Sequence, residues 1–175
     1  NIKQKIEDME KLGYSKEEVI KMTKSLPSIY SYSIDNIKQK IEDMEKLGYS
    51  KEEVIKMTKS LPAIYGLSID NIKQKIEDIE KLGYSKEEVI KMTKSLPSIY
   101  GYSIDNIKQK IEDIEKLGYS KEEVIKMTKS LPSIYGYSID NIKQKIDFYN
   151  SIGLHELAIN DTKQLMQSVS LSYAR

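Results

Sequence analysis

Apolar residues return along this chain at steps of three and four, in short runs that stop and restart at fixed places. From Ser33 onward, Ile34, Ile37, Ile41, Met44 and Leu47 make one helical stripe among charged and amide residues. Ser33 is placed as its N-cap, and Gly48 tolerates the left-handed stop at its end. A second amphipathic run follows at once. Ser50-Lys51-Glu52-Glu53 is a capping box in which Glu53 reaches back to the Ser50 amide, with Tyr49 and Val54 at the two staple positions. Val54, Ile55, Met57 and Leu61 form its apolar side, and Pro62 ends it by driving the preceding residue out of helical geometry. The linker Pro62-Ala63-Ile64-Tyr65-Gly66-Leu67 is apolar for a loop. That predicts a short 3₁₀ turn packed on the core, before Ser68 caps the next helix.

The pattern recurs. Asn-Ile-Lys-Gln-Lys-Ile begins at Asn1, Asn36, Asn71, Asn106 and Asn141, a period of 35 residues, with four complete units to Asp140 and a fifth that diverges. Helices of about 10 to 14 residues are marginal alone in water. Stacked neighbours must therefore bury a continuous core. The expected fold is all-α, with tandem 35-residue helix–helix–3₁₀ repeats stacked as a superhelical solenoid and a C-terminal capping helix. The repeat array is expected over residues 1–153 (units starting at 1, 36, 71, 106 and 141), and the cap over 154–175. In the fifth unit the acidic position Asp8, Asp43, Asp78, Asp113 becomes Phe148, followed by Tyr149, Asn150 and Ser151. This predicts that the C-terminal segment covers Phe148. Asp161-Thr162-Lys163-Gln164 would cap its helix, with Leu165, Met166, Val169 and Tyr173 as its stripe. The first unit lacks the Ser-Ile-Asp that opens later first helices. The expectation there is a cut from a longer array, or an uncapped end that self-associates end to end with another copy.

One stretch carries a family likeness: Pro27-Ser28-Ile29-Tyr30-Ser31-Tyr32-Ser33-Ile34-Asp35-Asn36-Ile37, then Leu47-Gly48-Tyr49-Ser50-Lys51-Glu52-Glu53-Val54-Ile55-Lys56-Met57. It resembles the mitochondrial transcription termination factor (mTERF) repeat, with its proline before apolar residues, serine-capped first helix, Leu-Gly stop and serine/acid-capped second helix. The likeness recurs in each copy, from Asn1 to about Gly153. It implies helix–helix–3₁₀ units in a curved, left-handed superhelix, and nucleic-acid binding along a basic concave groove, mainly through phosphates. The pentatricopeptide repeat has the same length, but its characteristic residues are absent.

Charge qualifies that implication. The chain has 28 basic and 27 acidic side chains, and Arg175 is its one arginine. No global field draws it to nucleic acid or to an acidic membrane, and lysine meets phosphate as a point charge without arginine's fork. Segregation within the repeat matters more. Lysines ending each second helix fall near those opening the next first helix. The candidate nucleic-acid-binding residues are therefore Lys21, Lys24, Lys38, Lys40, Lys56, Lys59, Lys73, Lys75, Lys91, Lys94, Lys108, Lys110, Lys126, Lys129, Lys143 and Lys145, expected as one stripe. The opposite edge carries Glu42, Asp43, Glu45, Glu52, Glu53 and their copies. The plainer reading is a solvated face laced by acids pairing one turn after lysines.

The four complete units differ only at Met9 and Met44 (Ile79, Ile114), at Ser28, Ser98 and Ser133 (Ala63), at Ser31 (Gly66, Gly101, Gly136), and at Tyr32, Tyr102 and Tyr137 (Leu67). A one-base-per-repeat reader must vary its surface side chains, and no surface helix position varies. The tyrosines at 14, 49, 84 and 119 and at 30, 65, 100 and 135 read as staple and linker packing, their hydroxyls reaching water. Stacking on bases is the alternative.

Nothing here signals catalysis. His155 is the sole histidine and is unrepeated, and no Gly-rich phosphate loop exists. Glu42, Asp43 and Glu45 lie on an open face and read as partners of lysines, so no metal or cofactor is expected. Cysteine is absent. No run nears the roughly 20 apolar residues of a membrane span, and no signal peptide is visible. An intracellular location is favoured, with a leader before Asn1 left open. Two functions fit: a nucleic-acid-binding repeat module contacting DNA or RNA phosphates without base readout, or a protein-interaction or structural scaffold, natural or engineered.

Overall fold

The computed structural model describes residues 1–167, and all regular structure among them is helical. The expected cap residues Val169 and Tyr173 lie outside the described residues. The chain divides into two compact units, residues 1–77 and 78–175.

The first unit contains α1 (Ile2–Leu12), α2 (Lys16–Ser25), α3 (Ile34–Leu47) and α4 (Lys51–Ser60), with 3₁₀ turns at Pro27–Ser31 and Pro62–Gly66. The division falls inside α5 (Ile69–Glu80). The second unit contains α6 (Lys86–Ser95), α7 (Ile104–Glu115), α8 (Lys121–Ser130) and α9 (Ile139–Ser151), with 3₁₀ turns at Pro97–Gly101 and Pro132–Gly136. Two short helices follow, α10 (His155–Asn160) and α11 (Thr162–Gln167). The 35-residue helix–helix–3₁₀ unit is thus present copy after copy.

Local signals act as their chemistry requires. Ser33 accepts the Asn36 amide at the start of α3, and Ser50 and Glu53 form a complete capping box on α4. Gly48 takes φ 119°, its amide bonds the Glu45 carbonyl, and the Tyr49 amide bonds that of Met44. This is a Schellman stop that a residue with a Cβ would strain. Leu61 sits outside helical geometry before Pro62, and the Ile64 amide closes the 3₁₀ turn on the Leu61 carbonyl. Ile37, Ile41, Met44, Val54, Met57 and Ile64 are buried, so both helices and the turn feed one core.

One polar tie joins successive repeats, and a second closes each repeat on its own linker. Tyr14 Oη lies 2.5 Å from Thr58 Oγ1 and 2.5 Å from Tyr65 Oη. Thr58 commits its one hydrogen to the Val54 and Ile55 carbonyls. Tyr14 therefore donates to Thr58, and Tyr65 donates to Tyr14. The second unit repeats the relay, with Tyr84 Oη 2.5 Å from Thr128 and 2.6 Å from Tyr135. The staple reading expected these hydroxyls to reach water, and they do not. They are buried, and desolvation raises the pKa of Tyr14, Tyr65, Tyr84 and Tyr135. The second tie is a lysine clasp. Lys5 and Lys40 donate to the Tyr32 and Leu67 carbonyls in the first unit, and Lys110 to that of Tyr137 in the second. Burial lowers the pKa of Lys40 and Lys110.

At the C-terminal end Lys145 makes the same clasp to the Met166 carbonyl. α10 and α11 pack against α8 and α9. Asp161 Oδ1 accepts the Gln164 amide at 2.9 Å, and Leu165 and Met166 are buried. The expected single capping helix is two six-residue helices among the described residues. The expectation that this segment covers Phe148 is overturned. Phe148 is 45% exposed, whereas Tyr149 is 4% exposed. The cause is helical phase: Tyr149 continues the inward row of Ile142 and Ile146, and Phe148 falls one position off it.

Two outcomes follow. Phe148→Asp should shift unfolding free energy by no more than about 0.5 kcal/mol, whereas Tyr149→Ala should cost about 3 kcal/mol or more in urea denaturation. Tyr84→Phe leaves the Tyr135 hydroxyl buried without its acceptor and should destabilise by about 1–3 kcal/mol in the same assay.

Candidate nucleic-acid interface

The second helices bury Val19 and Met22, Val54 and Met57, Val89 and Met92, Val124 and Met127. Two and five residues beyond each valine, lysines are left on the flank of the helix. In the first unit, Lys21 of α2 and Lys56 and Lys59 of α4 line one open groove with Glu18 and Ser60. Lys21 and Lys24 join Lys59, Ser25 and Ser60 around the adjoining concavity. In the second unit, Lys91 of α6 and Lys126 and Lys129 of α8 line the matching groove with Glu88, Met92 and Ser130. Successive second helices thus pool their lysines.

The first-helix lysines do not line these grooves. Lys40, Lys110 and Lys145 are the clasps already described, their ammonium groups turned to main-chain carbonyls. Lys38, Lys73 and Lys108 are exposed on their helices, Lys143 pairs with Asp147, and Lys75 is half-buried, as is Lys94 of α6. The single stripe expected from both helices is replaced, within each unit, by grooves between second helices.

Two groove lysines are already paired. Lys59 Nζ lies 2.9 Å from Glu18 Oε1, and Lys129 Nζ 2.9 Å from Glu88 Oε1. Each glutamate also closes its own capping box, its Oε2 accepting the Ser15 amide at 2.8 Å or the Ser85 amide at 2.9 Å. Those amides first, and the lysines second, hold both carboxyls below the usual glutamate range. Around the first-unit grooves stand four lysines (Lys21, Lys24, Lys56, Lys59) and one carboxylate, so a net positive lining remains. Lys126 donates to Asn160 Oδ1 at 3.2 Å. Sequence reading placed these two glutamates, as copies of Glu53, on the edge opposite the lysines, whereas each pairs with a groove lysine. Their signal was a Glu–Lys separation of 41 residues, one period plus six, which carries meaning only once adjacent repeats are known to stack.

Of the acids expected to follow lysines by one turn, Asp147 does pair with Lys143, whereas the repeated aspartates pair in the opposite order. Asp8, Asp43, Asp78 and Asp113 each meet the lysine three residues on, at 3.3–3.7 Å. The tyrosines at 14, 49, 84 and 119 are buried, which removes them as base-stacking platforms. His155 stacks flat on Tyr119 at 4.7 Å, and its Nδ1 lies 2.8 Å from Asn150 Oδ1. Among the described residues no group of three or more His, Cys, Asp or Glu is placed to hold a metal, and no helix is long and apolar enough to cross a membrane.

A family model described as mTERF matches residues 1–114 and, in an overlapping second match, residues 45–156. The chain belongs to the mTERF family. No curated protein matches it. The mTERF assignment and the repeated helix–helix–3₁₀ unit support each other, and the family consists of helical-repeat modules that typically bind nucleic acid.

The shifted glutamates set a pH dependence. Folded-state pKa values below the unfolded one stabilise the fold above the unfolded glutamate pKa of about 4.3, and that contribution disappears as pH falls through the folded value. Thermal melting should therefore drop between about pH 5 and pH 3. The drop should be smaller in a Glu18→Gln, Glu88→Gln chain.

Proposed function

We propose that this mTERF-family chain binds nucleic acid through phosphates, along the lysine grooves between successive second helices, without base-by-base readout. The observation that carries this is the pooling of Lys21, Lys24, Lys56 and Lys59, and of Lys91, Lys126 and Lys129, by helices one period apart. Family membership supports the ligand class. The near-identity of the repeats supports a uniform target, since each groove presents the same side chains. Lysines act as point charges on a phosphodiester backbone, and binding of that kind is governed by counterion release. Catalysis forms no part of this reading.

A scaffold reading is kept by one observation. Glu18 and Glu88 neutralise part of each groove, in a chain of net charge +1.

Filter-binding titrations of duplex DNA and of RNA over a salt series decide between them. Affinity should fall steeply with salt, by roughly one logarithmic unit per tenfold salt for each phosphate neutralised. Substituting Lys21, Lys56, Lys91 and Lys126 with alanine should flatten that slope, whereas alanine at Lys38, Lys73 and Lys108 should change it less. Absence of salt-sensitive binding to either nucleic acid at about 50 mM salt overturns the proposal.

A further inference from the structure

Glu18 and Glu88 each hold two partners on two different oxygens. In the first unit Glu18 Oε2 accepts the Ser15 amide at 2.8 Å, and its Oε1 accepts Lys59 Nζ at 2.9 Å. In the second unit Glu88 Oε2 accepts the Ser85 amide at 2.9 Å, and its Oε1 accepts Lys129 Nζ at 2.9 Å. The first contact belongs to the capping box of α2 or α6. The second reaches across to α4 or α8 and falls inside the lysine groove.

The two contacts are separable. Glu123 closes the same box on Ser120, its Oε2 accepting that amide at 2.7 Å. Among the described residues it holds no lysine, unlike Glu18 and Glu88. The cap therefore forms without a lysine. At Glu18 and Glu88 the serine amides are also the larger cause of the lowered carboxyl pKa, so each stays ionised when its lysine is drawn away. The bridges are open to water, their side chains 34–38% exposed, and pairs so exposed add little to stability. What each bridge does change is the groove. It sets a fixed anion on the lysine that stands with Lys21 and Lys56, or with Lys91 and Lys126.

We propose that Glu18 and Glu88 are tethered competitors for the phosphates of a bound polyanion, and so set the affinity of each groove. This rests on the reading that the grooves take nucleic acid through its phosphates. A phosphate arriving at Lys59 or Lys129 meets an ammonium already neutralised and a carboxylate that repels it. The capping box keeps that carboxylate from swinging away, so the competitor stays at high effective concentration. Seating the phosphate exchanges one anion for another, with a small net gain. The remaining attraction comes from Lys21, Lys56, Lys91 and Lys126, and binding is held weak and reversible.

Glutamine separates the two roles, because it still fills a capping box but carries no charge. In filter binding to duplex DNA and to RNA at about 50 mM salt, the chain carrying Glu18→Gln and Glu88→Gln should bind about fivefold more tightly. Its salt dependence should steepen by about one logarithmic unit per tenfold salt for each lysine freed. Each single variant repeats the test in its own unit. Glu123→Gln removes the same charge from the same kind of box, and should give a clearly smaller gain than Glu88→Gln. Unchanged or weaker binding by the double variant overturns the proposal, as does an equal gain from Glu123→Gln, which is the effect of net charge alone. Calorimetric titration with sodium tripolyphosphate keeps this proposal apart from the nucleic-acid reading. If neither the unmodified chain nor the double variant retains nucleic acid, that reading fails and the tripolyphosphate titration decides for the competitor by itself. Tighter tripolyphosphate binding by the glutamine variants upholds it, and equal or absent binding overturns it.

Discussion

The hydroxyl relay from Tyr65 through Tyr14 to Thr58, copied from Tyr135 through Tyr84 to Thr128, sets how one repeat meets the next. Apolar burial alone would hold the helices together, but it is non-directional and tolerates sliding. A buried hydroxyl tolerates little, because a donor left without an acceptor costs more than a made bond contributes. The relay therefore converts a greasy contact into a single register. Around it the other ties fall into place: the clasp from Lys40 to the Leu67 carbonyl holds the linker, and the bridge from Lys59 to Glu18 pins the second helices.

That register also sorts the lysines, which look alike along the sequence. Those at Lys40, Lys110 and Lys145 turn their ammonium groups to main-chain carbonyls. Those at Lys59 and Lys129 are shared with carboxylates that cap the preceding repeat's second helix. Lys21, Lys56 and Lys91 remain on the groove walls. A repeat so nearly invariant presents the same lysines in each copy, which suits the uniform polyanion proposed as its target.

Much of the architecture was legible beforehand, because it depends on interactions within a dozen residues. The Ser50–Glu53 box, the left-handed Gly48 stop, the Pro62 break and the 3₁₀ turn are all chemistry of near neighbours, and each stands where the spacing placed it. The cap on Gln164 by Asp161 was legible for the same reason. Phe148 was misread because composition shows that a position has turned apolar but not which way it faces, and a one-residue offset from Tyr149 separates exposed from buried.

By itself, then, the sequence determined the 35-residue period, the all-helical unit, its caps and its core stripe, since these follow from steric and hydrogen-bonding preferences between residues close in the chain. Only the tertiary structure decided which lysines line a groove, that Thr58 and Thr128 are buried polar hubs, and that the Tyr119 hydroxyl is buried without a partner among the described residues. Those properties depend on residues a full period or more apart, such as the 44 residues between Tyr14 and Thr58, and such distances carry no meaning until stacking brings the two ends together.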